Sequence, residues 1–109
     1  MAYDTDLVER VQAQLADILF VHKRQMFGGV VYFINGNMLC GVFGDRLMAR
    51  VGPRAYAQAL KLPHAQPMDF TNRPLTGFVY VAPAGIESDA ELRSWLDRAI
   101  AFSGSLIPK

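Results

Sequence analysis

The sequence predicts a two-layer α+β domain, an antiparallel sheet with helices in the order α-β-β-β-α-β-β-α, and three observations carry that prediction. An apolar stripe of helical period opens the chain, two hairpin signals follow in one short stretch, and a capping box starts an amphipathic helix near the C-terminus. The 109 residues, 51% hydrophobic and with a formal charge of +1, fit one domain over residues 1–109. A chain of this size buries about two-thirds of its unfolded surface, so it needs no disulfide or metal framework.

The first helix is expected from about Asp6 to Phe20. Leu7, Val11, Leu15 and Ile18 recur at helical spacing with Val8 and Leu19 beside them, while Glu9, Arg10 and Asp17 fall off the stripe. Thr5 or Asp4 caps it. A single apolar face implies a helix lying on a sheet.

From Arg24 the period becomes that of strands. Asn35-Gly36 supplies the two positive φ angles of a type I′ turn, and Gly44-Asp45 has glycine where a type II′ turn requires it. Three antiparallel strands are therefore expected at about 26–34, 37–43 and 46–51. With two-residue loops the register follows by counting: Phe33 faces Met38, Val31 faces Cys40 and Gly29 faces Val42, then Met38 faces Val51, Cys40 faces Ala49 and Val42 faces Leu47. One face then holds Val31, Phe33, Met38, Cys40, Val42, Leu47, Ala49 and Val51, with no polar side chain, and is read as the core face. The other holds Val30, Tyr32, Ile34, Leu39, Phe43, Arg46, Met48 and Arg50. Phe43 comes opposite Gly28, which explains the glycine pair as room for an aromatic ring or as a bulge. So apolar a second face marks an interaction surface, with Tyr32, Leu39, Phe43, Arg46, Met48 and Arg50 as its members.

Pro53 opens a short helix running to Lys61, which Leu62-Pro63 ends. A weak strand follows at about 68–71, a turn around Asn72-Arg73-Pro74, and a firmer strand at 77–81 that Pro83 stops. Ser88 and Glu91 form the capping box of the last helix, whose stripe is Leu92, Trp95, Leu96, Ala99 and Ile100, and Gly104 sits at its end. Residues 105–109 read as a loose tail.

Few residues offer chemistry. Cys40 is the only cysteine, which excludes an intramolecular disulfide and any zinc site needing two thiolates, and its core-face position makes it an inert small hydrophobe. His22 and His64 lie beside loop-like sequence and read as exposed or capping histidines. The Gly28-Gly29 pair matches no phosphate-loop pattern. Asp4, Asp6 and Glu9, like Glu87, Asp89 and Glu91, sit at helix starts, where the dipole accounts for them. No catalytic constellation, metal site or cofactor site emerges. No signal peptide or membrane-length apolar run is visible, so the cytoplasm is the expected location.

The basic residues fall in two groups, His22-Lys23-Arg24 and Arg46, Arg50, Arg54. If Lys23, Arg24 and Arg54 converge, they form a basic patch, and arginine interleaved with aromatic rings on an open sheet is an arrangement used to stack single-stranded bases. The small net charge counts against it.

Arg24-Gln25-Met26-Phe27-Gly28-Gly29-Val30 resembles the entry strand of the TfoX (Sxy) N-terminal domain family, found in regulators of bacterial competence genes. Asp45-Arg46-Leu47 with Arg50-Val51, Phe78-Val79-Tyr80-Val81-Ala82-Pro83 and Glu91-Leu92-Arg93-Ser94-Trp95 extend the likeness along almost the whole chain. The resemblance implies a two-layer α+β domain with no enzyme activity and no cofactor. Longer members add a C-terminal helical domain, and the regulatory role is attached to those whole proteins. The expectation here is a stand-alone domain, and Gln25 stands where the motif has a second arginine. The sequence reading is thus a non-enzymatic interaction module that makes protein contacts and forms a homodimer, with a nucleic-acid-binding module as the alternative.

Overall fold

A computed structural model describes residues 3–69 and 74–109. Its helices are α1 (Thr5–Leu15), α2 (Tyr56–Leu60) and α3 (Asp89–Ser103), with a 3-10 turn at Pro83–Gly85. Its strands are β1 (Val21–Met26), β2 (Gly29–Ile34), β3 (Asn37–Phe43), β4 (Arg46–Arg50), β5 (Ala65–Asp69) and β6 (Pro74–Val81). They form one antiparallel sheet in the order β1-β2-β3-β4-β6-β5. The expected turn at Asn72-Arg73-Pro74 falls largely on residues 70–73, outside the described ones.

All three helices lie on one face. Leu7, Val11 and Leu15 of α1, Ala59 of α2, and Leu92, Trp95, Leu96 and Ala99 of α3 pack in one cluster with Val30, Tyr32, Leu39, Cys40, Val42 and Leu47 of the sheet. This is the expected two-layer α+β arrangement. Local signals at the helix starts hold as well. The Asp4 carboxylate accepts from the amides of Asp6 (2.9 Å) and Leu7 (3.3 Å). Ser88 Oγ accepts from the Glu91 amide while Glu91 Oε1 accepts from the Ser88 amide, both at 3.0 Å, and these bonds hold the Glu91 carboxyl below its ordinary value.

Besides shifted ends of α2, β5 and β6, four details differ from the sequence reading. First, α1 stops at Leu15 instead of Phe20. Phe20 takes φ 65 and its carbonyl accepts from the Asn35 amide, which turns the chain into the sheet. Second, His22, Lys23 and Arg24 do not precede the first strand but form it. Phe27 (φ 56) and Gly28 (φ 77) make a tight turn between β1 and β2, with Met26 opposite Gly29. Phenylalanine at a left-handed position carries no hairpin signal, which is why this edge strand is not legible.

Third, the register shifts between Tyr32 and Phe33. Phe33 still faces Met38 and Ile34 faces Asn37, but Tyr32 faces Cys40, Val31 faces Gly41 and Val30 faces Val42, leaving Leu39 as the extra residue of a bulge. A one-residue slip exchanges the faces of a strand. Val30, Tyr32, Ile34 and Leu39 therefore point to the helices, whereas Val31, Phe33 and Met38 point away. The second hairpin keeps the expected register, with Cys40 opposite Ala49 and Val42 opposite Leu47. Fourth, residues 105–109 are tied down: Lys109 donates its amide to Asn35 O at 2.8 Å, and Asn37 Nδ2 donates to Ile107 O at 3.1 Å.

Candidate interaction face

The corrected register defines the face that no described helix covers. Following the pairings across the sheet, Arg24 of β1 aligns with Val31, Gly41, Met48, Tyr80 and finally Gln66 of β5, one row on one surface. Val31, Phe43, Met48, Met68 and Tyr80 form the buried floor, and Met26, Phe33, Met38 and Phe78 pack around it half-buried. Every methionine after Met1 belongs to this set. The floor is dense because the Phe43 ring lies flat over two glycines. A Cβ on Gly29 would stand 2.7 Å from its Cδ1, and one on Gly41 would stand 3.0 Å from its Cε2. The sequence reading of a ring over a residue without a side chain holds, with Gly29 and Gly41 in place of Gly28.

Three arginines rise from this floor. The Arg46 guanidinium carbon lies 3.9 Å from the Tyr80 ring centroid, Arg50 lies 5.4 Å from both Phe78 and Phe102, and Arg24 lies 6.0 Å from Phe33. Arg50 also donates to Met38 O at 3.2 Å, and partial burial pulls its guanidinium below the ordinary value. Burial raises the Tyr80 phenol, with the Arg46 charge opposing that rise. None of the three pairs with a carboxylate: the ion pairs among the described residues are Arg10–Asp89 and Arg93–Asp97, both involving helices on the other side.

The expected interaction residues thus divide. Phe43, Arg46, Met48 and Arg50 share the helix-free face. Tyr32 (2% exposed) and Leu39 (0%) do not, because the bulge turns them into the core. The Tyr32 hydroxyl donates to Val8 O at 3.3 Å, and burial, with smaller contributions from Cys40 and Tyr3, pushes it up to about 12. Lys23, Arg24 and Arg54 do not gather into one patch. Lys23 reaches Gln12 of α1 at 2.8 Å, Arg24 points to the opposite face, and Arg54 stands exposed in the turn before α2. Counting through the first hairpin missed Phe33 and Met38. Met26, Met68, Phe78 and Tyr80 were also missed, although the methionine content was a usable signal, since methionine is over-used at adaptable binding surfaces.

Cys40 is fully buried, and that burial raises its thiol well above the ordinary range, so it stays protonated. No group of three or more His, Cys, Asp or Glu side chains with metal-holding geometry occurs among the described residues. No described helix is long and apolar enough to cross a membrane.

The fold and this face define a class, a two-layer α+β domain with helices on one side of a six-stranded sheet and a methionine- and arginine-bearing surface on the other. The TfoX N-terminal domain model matches residues 13–103, and the chain belongs to that family. No curated protein and no solved structure gave a match.

Proposed function

We propose that this domain is a non-enzymatic interaction module that acts by docking another polypeptide on its helix-free sheet face. The observation that carries this reading is the half-buried set Met26, Phe33, Met38 and Phe78 there, around a floor that includes the buried Met48 and Met68 and beside three arginines that no described carboxylate pairs. Thioether side chains adapt to a partner at little cost, and Phe33, Met38 and Phe78 keep part of their surface in water. A homodimer through this face is the less favoured occupant. A two-fold contact would set the arginines of one copy against those of the other with no carboxylate between them.

Methyl NMR on protein labelled at methionine and alanine methyls tests the reading. Adding a bacterial lysate should shift or broaden the Met26 and Met38 signals while methyls facing solvent on the helix side, such as Ala101, stay unchanged. Perturbation confined to the helix side would contradict it. The same labelled protein, concentrated alone, reports a homodimer directly if those two signals change with concentration.

A further inference from the structure

We infer that the partner segment is acidic, an extended stretch of polypeptide whose carboxylates meet Arg24, Arg46 and Arg50 while its other side chains rest on the half-buried Met26, Phe33, Met38 and Phe78; this builds on the docking face proposed above. Charge complementarity is the first argument. Among the described residues with side chains on this face none is acidic, and each of the three guanidinium groups lacks a carboxylate. The acidic side chains collect elsewhere, with Asp4, Asp6, Asp45 and Glu87 lining one hollow beside Leu7 and Arg10.

Geometry is the second argument. A guanidinium lying over an aromatic ring has its plane restrained by the contact, which prepares the forks of Arg24 and Arg46 for bidentate binding of a carboxylate, while Arg50, already donating to Met38 O, offers its remaining N–H groups. The register also sets the spacing. Arg46 and Arg50 flank Met48 by two residues each along β4, so their Cα atoms are about 13 Å apart. Arg24 lies in the Met48 row three strands away, about 14 Å across the sheet. An extended acidic segment of modest length reaches all three.

Two other occupants fit less well. A single-stranded nucleic acid needs open rings for its bases, but Tyr80 (6% exposed) and Phe43 (8%) are buried, and the half-buried Phe33 and Phe78 already carry Arg24 and Arg50. A second copy joined by a two-fold axis meets the arginine repulsion described above, although one joined head to tail could offer its acidic hollow.

The test is a titration of the intact protein, labelled at methionine and alanine methyls, with a fluorescein-labelled peptide of Glu, Leu and Ser. The peptide has about twelve residues, enough to cross the face at about 3.3 Å per residue. A second peptide has every Glu replaced by Gln, and a third probe is oligo-dT of similar length. The expected result is that the Glu peptide binds and shifts Met26 and Met38. Binding should weaken as ionic strength rises from about 0.01 M to 0.15 M, and fall about three- to tenfold for each of Arg24→Gln, Arg46→Gln and Arg50→Gln. Arg24→Gln lies on the exposed edge strand and keeps the test valid if the other two variants unfold, as circular dichroism would reveal. Equal binding of the Glu and Gln peptides at the methionine face overturns the acidic partner and leaves the docking face standing. Binding of the Glu peptide away from the methionines, at the helix side, overturns both. Preference for oligo-dT, self-association at low salt in place of peptide binding, or no binding to any probe likewise overturns the acidic partner.

Discussion

Alanine at Gly29 should be among the most damaging small substitutions in this domain, because the floor of the helix-free face is built on the missing side chain. The new Cβ would run into the Val42 carbonyl oxygen and stand 2.7 and 3.0 Å from two atoms of the Phe43 ring. Carbon atoms prefer about 3.5–4.0 Å, so the ring must move by close to 1 Å, and the backbone carbonyl opposite cannot yield without disturbing the β2–β3 ladder. Overpacking of this kind costs about 1–3 kcal/mol, and the entropy alanine removes from the unfolded chain returns about 0.4–1 kcal/mol. Gly29→Ala should therefore lose about 2 kcal/mol in urea denaturation, lowering Tm by about 10 °C for a domain of this size. Gly41→Ala meets Val30 O at 2.9 Å, the same ring at 3.0 Å and the movable end of Met48 at 3.4 Å, and should lose about 1 kcal/mol. In a Phe43→Leu background the ring contact is gone, so the Gly41→Ala cost should shrink measurably in a double-mutant cycle. Neutral or stabilising alanines, or costs that ignore the residue at position 43, would refute the packing described.

Neighbouring residues at the bulge give a second test: Leu39→Ala, in the helix-covered core, should cost about 2–5 kcal/mol, but Met38→Ala, half-buried on the other face, only about 1 kcal/mol. Chemical denaturation of the two variants would show the reverse order if the bulge were absent. Ser88→Ala should lose about 1 kcal/mol of stability through the α3 cap. Because Glu91 is held below its ordinary value of 4.5, the stability it contributes is present above that pH and lost below it, and denaturation curves of Ser88→Ala should show a weaker acid dependence there. At alkaline pH the sign is opposite. Cys40 and Tyr32 hold their protons more tightly in the fold, so their contribution to stability should be constant below pH 9.0 and fall as pH passes the unfolded thiol value of 9.0 and the phenol value of 10.0 towards about 12. Cys40→Ala should delay the onset to about pH 10 in urea titrations, and an unchanged onset would contradict the burial of the thiol.

What could be read from the sequence was local. Asn35-Gly36, with φ 52 and 80, and Gly44, with φ 60, make the turns their residue types demand, and Ser88 with Glu91 closes its capping box. Arg46, Met48 and Arg50 were placed on the correct face because the β3–β4 hairpin contains no bulge. The β2–β3 hairpin escaped because both of its faces are apolar. Exchanging Val31 and Phe33 for Val30, Tyr32 and Ile34 leaves the hydrophobic pattern as consistent as before, so a bulge at Leu39 without glycine or proline has no signature. The edge strand β1 escaped because its turn is Phe27-Gly28, and because His22, Lys23 and Arg24 look like loop residues; charged side chains are how edge strands avoid pairing with other chains. The tie between residues 107–109 and the β2–β3 turn depends on backbone carbonyls, which no side-chain pattern announces. That no described helix covers the second face is a matter of topology, set by α1, α2 and α3 packing on the other.

Site-specific photocrosslinking in living bacteria tests the central claim most directly. A benzophenone amino acid replaces Phe33 on the helix-free face in one protein and Asp97, exposed on α3, in another. A discrete crosslink to another polypeptide from position 33, absent from position 97, is the predicted result. A crosslink from position 97 with none from position 33 would place the partner on the helices and contradict the account.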